Sequence, residues 1–168
     1  MNFIKYIVDK VSFVMHSISG VILISMMLVT IADILTRALY SYSGGSIDLT
    51  FLGGIELISY GLLFMVLFSL PYSVSRGQVI VDLFTEGMSD RMKEFLFGFY
   101  TFGFGLLGLG MAYGWYESMQ RVAANGETTQ DLLIPMSYVY GLAVFPAAML
   151  ALRGFLVSFE RIAKSRSL

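Results

Sequence analysis

Polar and apolar positions fall along this chain in long blocks. Four runs without Asp, Glu, Lys or Arg cover residues 11–32, 57–75, 95–116 and 132–152, which is 22, 19, 22 and 21 residues. Coiled as α-helices at about 1.5 Å per residue, each run matches the hydrocarbon thickness of a bilayer, about 30 Å. The pattern predicts an all-α membrane protein, one domain of four transmembrane helices with spans over about 11–37, 50–75, 93–116 and 132–154.

The segments between the runs set the expected orientation. Lys5 and Lys10 precede the first run, Arg76, Arg91 and Lys93 lie between the second and third, and Arg153, Arg161, Lys164 and Arg166 follow the fourth. The other two connections carry Arg37 and Arg121 alone, so nine of the eleven basic residues share one side. By the positive-inside rule, both termini are cytoplasmic. The first run is too long for a secretory h-region and lacks a small-x-small cleavage site, so it is read as a retained helix.

The connections carry local signals of their own. Residues 1–10 place Phe3, Ile4, Ile7 and Val8 at helical spacing beside Lys5, Asp9 and Lys10, which suits either a helix along the inner interface or the first turns of span one. The segment YSYSGGSID reads as an external turn whose Asp48 caps the next helix. In QVIVDLFTEGMSDRMKE, Val79, Ile80, Leu83 and Phe84 share a face, predicting a short interfacial helix between spans two and three that Gly87 ends, with Ser89 capping the next helix. The third connection, QRVAANGETTQD, contains an Asn-Gly turn signal and reads as a solvated external loop.

Composition agrees with the block pattern and narrows the chemistry. The chain is 57% apolar and 14% charged, with mean hydropathy +0.74 and net charge −1. Cysteine is absent and His16 is the only histidine, which excludes disulfides, thiolate metal sites and two-histidine haem ligation within the chain. No phosphate-cradling glycine loop and no nucleophile–base pair stands at recognisable spacing. The chain is expected to be no enzyme, to hold no metal or cofactor and to bind no nucleic acid.

Ionisable residues near the hydrocarbon are the candidate functional groups, because uncompensated charge there costs at least about 2.5 kcal/mol. Glu56 is the only charge between Leu49 and Ser75, and Tyr60, one turn on, is placed to donate to it. Asp33 and Arg37 stand in the favourable acid-before-base i, i+4 order at the outer end of span one. They pair locally, or Arg37 also reaches Glu56 in a network with Asp33 and Tyr60 that locks the helices. In span three, Gly103, Gly110 and Gly114 share a face; packing inside the bundle is the plainer reading and an interface with another subunit the alternative. Pro146 predicts a kink in span four, and Arg153, Arg76, Arg91 and Lys93 are placed to reach lipid phosphates or a partner.

Three segments carry a family resemblance: GGIELISYGLLF opening span two, LPYSVSRGQVIVDLF leaving it, and TTQDLLIPMSYVYGLAVFPAAML through span four. The chain resembles the small four-helix membrane subunit, Q-type, of tripartite ATP-independent periplasmic (TRAP) transporters. The resemblance implies a partner, a large multi-span membrane subunit that moves elevator-like and carries the substrate and sodium sites. It also implies a soluble periplasmic substrate-binding protein, carboxylate import across the bacterial inner membrane, sialic acid ahead of C4-dicarboxylates, and a fixed scaffold role for this chain. Under it, the external loops bearing Asp48, Glu117, Arg121, Glu127 and Asp131 help seat the binding protein, and phospholipid contacts the inner surface. A homodimeric proton-coupled exporter using Glu56, and an assembly subunit of another membrane complex, are the rival readings.

Overall fold

The structure is a computed structural model and describes residues 2–74 and 87–167. Among these residues the regular elements are four helices: α1 (Asn2–Tyr42), α2 (Gly54–Ser73), α3 (Asp90–Asn125) and α4 (Met136–Ser167). Each is long and apolar enough to cross a membrane, so the chain is a multi-pass membrane protein. The expected interfacial helix and Arg76 lie outside the described residues.

The helices overrun the charge-free runs. No glycine or proline separates residues 2–10 from the first run, and α1 continues through them as one helix of 41 residues, about 60 Å long. The N-terminal arm is therefore the start of span one rather than a separate surface helix. α4 likewise extends past Arg153 to Ser167, and α3 past Trp115 to Asn125, where Gly126 (φ 67°) caps it in the left-handed conformation. These overhangs bring charged residues of different helices into reach of one another beyond the apolar layer.

α2 starts later than expected, for a local reason. The Asp48 carboxylate accepts from the Thr50 N–H and hydroxyl and closes a turn of its own. Those two bonds hold the Asp48 carboxyl below the usual carboxylate range. The cap position belongs to Gly53, whose φ of 95° only glycine adopts without strain. Ser89 does stand at the N-cap of α3, but its hydroxyl makes no capping bond.

α4 is the central helix. α3 packs antiparallel along it and touches no other helix among the described residues, whereas α1 and α2 form a second antiparallel pair that meets α4 mainly through α2. The pairing places both termini at one end, the terminal end, and the 43–53 and 126–135 connections at the other, the loop end.

Small residues explain the α3–α4 contact. Gly98, Thr101, Gly105 and Gly108 on α3 face Ala147, Ala151, Gly154 and Ser158 on α4. A Cβ on Gly108 would stand 2.5 Å from the Ala151 nitrogen, and one on Gly154 would stand 2.6 Å from the Gly105 nitrogen. Backbones this close gain dispersion along their whole length, which is what holds helices together in lipid. The Ser158 hydroxyl donates to the Gly98 carbonyl at 2.7 Å across the seam.

The expected stripe fails this test, since a Cβ on Gly103, Gly110 or Gly114 would meet nothing within 4 Å. Among the described residues those three glycines therefore pack against no other helix. Gly108→Ala is expected to lower the thermal midpoint, at a cost of about 1–3 kcal/mol from backbone overpacking, while Gly110→Ala leaves the isolated subunit unchanged. Melting curves of the two purified variants compare them directly. Pro146 is fully buried against this core, as is Pro71 in α2, and α4 runs unbroken through Pro146.

Candidate functional site: polar anchors at the two ends of the bundle

At the loop end, the first turn of α2 places Glu56 against the 126–135 connection. Its carboxylate accepts from three consecutive backbone N–H groups: Gln130 at 2.9 Å, Asp131 at 3.1 Å and Leu132 at 2.8 Å. The connection is folded so that these groups converge. Thr129 N–H donates to the Ile134 carbonyl, Met136 N–H to the Glu127 carbonyl, and Ile134 N–H to the Thr129 hydroxyl oxygen. Leu133 completes the turn at φ 53°, in the left-handed region. A carboxylate facing successive N–H dipoles is a charge-assisted contact, stronger than neutral hydrogen bonds.

The expected network among Asp33, Arg37, Glu56 and Tyr60 is divided in two. Arg37 donates from Nε to Asp33 at 2.8 Å and makes no ion pair with Glu56. The Tyr60 hydroxyl points to the Met136 sulfur at 3.4 Å, not to Glu56. Asp33 does reach α2 by another route: its buried Oδ1 would lie 3.2 Å from a Cβ on Gly54, beside the positive end of the α2 dipole. Glu56 thus finds backbone donors where the sequence suggested a cation.

Among the outer-loop residues, Glu117 and Arg121 form an exposed i, i+4 pair at 3.2 Å, a contact of little energetic weight. Glu127 accepts from the Asn125 amide at 3.3 Å, and Asp131 contributes its N–H to the Glu56 cradle. Asp48, on the first connection, is held by Thr50.

At the terminal end, Arg153 is not the lipid-reaching residue expected. Its side chain is 5% exposed and ties three helices together. It donates from Nη1 to the Pro71 carbonyl of α2 at 3.0 Å, pairs through Nη2 with Asp9 of α1 at 3.0 Å, and lies 5.1 Å from the Tyr72 ring centroid. Pro71 is in the last turn of α2, and the planar guanidinium serves its carbonyl and the Asp9 carboxylate at once. His16 stacks on the same Tyr72 ring at 4.9 Å.

Further out, Glu94 of α3 takes both Arg161 (2.9 Å) and Lys164 (2.6 Å) of α4, and Lys5 of α1 pairs with Glu160 of α4 at 2.6 Å. Arg161 also covers the Phe97 ring at 4.6 Å. Arg91 and Lys93, by contrast, make no ion pair among the described residues. Asp9, Glu94 and Glu160 are the residues that sequence reasoning missed. Their signal was present as carboxylates within reach of the basic residues on the same side of the apolar layer.

Every anchor found here joins helix to helix or loop to helix; the described residues hold no cluster of His, Asp or Glu fit for a metal ion. The family described as "Tripartite ATP-independent periplasmic transporters, DctQ component" matches residues 26–164, most of the chain. The chain belongs to the DctQ family. No curated protein and no solved structure matches it. DctQ proteins are components of tripartite ATP-independent periplasmic transporters. The match begins within α1 and reaches the last turns of α4, so it includes both anchors except for Lys5 and Asp9.

Proposed function

We propose that this chain is the fixed scaffold subunit of a TRAP transporter. A large multi-span membrane subunit carries the substrate and sodium sites beside it, and a periplasmic binding protein delivers the substrate. Import is driven by the sodium gradient across the bacterial inner membrane, and the substrates are carboxylates, sialic acid before C4-dicarboxylates. The outer connections bearing Asp48, Glu117, Arg121, Glu127 and Asp131 help seat the binding protein. Both termini face the cytoplasm, as the distribution of Lys and Arg implies.

The observation that carries the scaffold role is the state of Glu56. A carboxylate that moved protons or bound a cationic substrate would need to exchange partners during each cycle. Glu56 is instead committed to three backbone N–H groups of the chain's own loop. The same commitment weighs against a homodimeric exporter built around Glu56. In addition, among the described residues α3 packs on α4 alone, which leaves wide apolar flanks for a larger membrane partner or lipid.

Co-purification of the tagged chain, expressed with its neighbouring genes in nanodiscs, tests the reading. A large multi-span protein is expected to remain stably bound. Recovery of a stable homodimer with no such partner would overturn the scaffold role.

A further inference from the structure

Between the terminal ends of α1 and α4 lies a cleft of about 250 Å³ whose apolar wall is Val8, Leu156, Val157 and Phe159. It shares Lys5, Asp9, Arg153 and Glu160 with a second hollow of about 500 Å³ that extends to Arg161 and Lys164, so the two form one continuous space. Its depth in the bilayer follows from the charge-free runs. Residue 11 begins one and residue 152 ends another, so Asp9 and Arg153 mark the hydrocarbon edge. Lys5 and Glu160 stand about 6–11 Å beyond it, at headgroup depth.

Two features of the charged part point to a ligand. The Asp9 side chain is 43% exposed; Arg153 holds Oδ1, and Oδ2 accepts no hydrogen bond among the described residues. An acceptor is therefore open on the cleft wall. Lys5 and Glu160 bridge the mouth, with side chains 45% and 49% exposed. An ion pair so exposed contributes little and exchanges partners readily.

The pattern of signs selects among headgroups. A purely anionic headgroup would meet the Asp9 and Glu160 carboxylates unfavourably. A trimethylammonium group has no N–H to give them. A primary ammonium has three donors for the carboxylates, and the phosphate beside it suits Lys5 and Arg161.

We propose that the α1–α4 cleft binds one aminophospholipid, of the phosphoethanolamine class, from the leaflet at the terminal end. Its ammonium lies between Asp9 and Glu160, its phosphate takes Lys5 from Glu160, its glycerol ester region lies against Val8 and Val157, and its acyl chains enter the apolar layer on the far side of Asp9 and Arg153. The lipid then acts as an additional tie between the first and last helices. The proposal stands on the cleft alone and holds whatever complex the chain enters.

Native mass spectrometry of the protein, released from nanodiscs of mixed phosphatidylethanolamine, phosphatidylglycerol and phosphatidylcholine, tests it. One phosphatidylethanolamine per chain is expected to be retained, with occupancy falling stepwise through the N-methyl and N,N-dimethyl lipids to phosphatidylcholine. Glu160→Gln is expected to lower that occupancy about fivefold, while its thermal midpoint in lipid-free detergent stays at the parent value, since an exposed ion pair contributes little by itself. Asp9→Asn is the second variant and is expected to act in the same direction. Equal retention of choline and ethanolamine lipids, no retained lipid, or full occupancy in both variants would each overturn the proposal. Competition by soluble glycerophosphoethanolamine would assign the site to a water-soluble phosphoamine and overturn it as a lipid site.

Discussion

Arg153→Ala is expected to cost the isolated subunit about 3 kcal/mol and to turn a sharp thermal transition into a broad one at lower temperature. Truncation removes one member of a buried ion pair and orphans a carbonyl, and losses of this kind run to several kcal/mol when the remaining group stays buried. Asp9 keeps 43% exposure, so the penalty on its side is partial. The Pro71 carbonyl bears the larger loss because the guanidinium is its donor among the described residues. Arg153→Lys is expected to recover less than half of the stability, since one ammonium cannot serve Pro71 and Asp9 from the same position while covering Tyr72. A Lys variant as stable as the parent would show that charge alone matters there and would sink the account of a three-helix tie.

Glu56→Ala is expected to free the 126–135 connection while leaving the four helices intact. Three neighbouring N–H groups lose their acceptor together, so hydrogen exchange at Gln130, Asp131 and Leu132 is expected to quicken about tenfold or more. Exchange in the α3–α4 seam is expected to stay slow, because Thr101 and Ser158 are fully buried and bonded to the backbone. Glu56→Gln is the sharper variant: one carbonyl oxygen remains, but the amide presents donors to donors, so partial release is expected. Protection at residues 130–132 that is the same in all three proteins would mean that the connection holds its own shape without Glu56. Transport by the complex should fall with loop release, if the outer connections seat the binding protein.

These two anchors were legible in the sequence to different degrees. Glu56 stood out because a lone carboxylate between long apolar runs must find a partner. The partner could not be read, because backbone N–H groups carry no sequence signature and the 126–135 connection converges only after Thr129, Ile134 and Glu127 have bonded. Arg153 was legible as a charge at a helix end that reaches lipid phosphates or a partner, whereas its partners are Pro71 and Asp9 of its own chain. Its burial depends on the last turn of α2 lying beside it at Pro71 and on α1 continuing unbroken through Asp9. The glycines failed for a similar reason: Gly103, Gly110 and Gly114 match a close-packing spacing, as do Gly98, Gly105 and Gly108. The small residues at 147, 151, 154 and 158 were the signal that distinguished the two faces.

The sequence by itself determined the number of spans, their membrane character and the family, because hydrocarbon admits only helices whose backbone groups are satisfied internally and apolar blocks announce them directly. Lengths and register of the blocks needed no partner to be read. Which face of each helix is inside, which acid meets which base, and the place of α4 at the centre were decided only by the tertiary structure. In lipid, apolar side chains gain as much from acyl chains as from one another, so a hydrophobic pattern cannot tell an inner face from an outer one. Close backbone approach and paired charges make that choice, and both are properties of two helices at once.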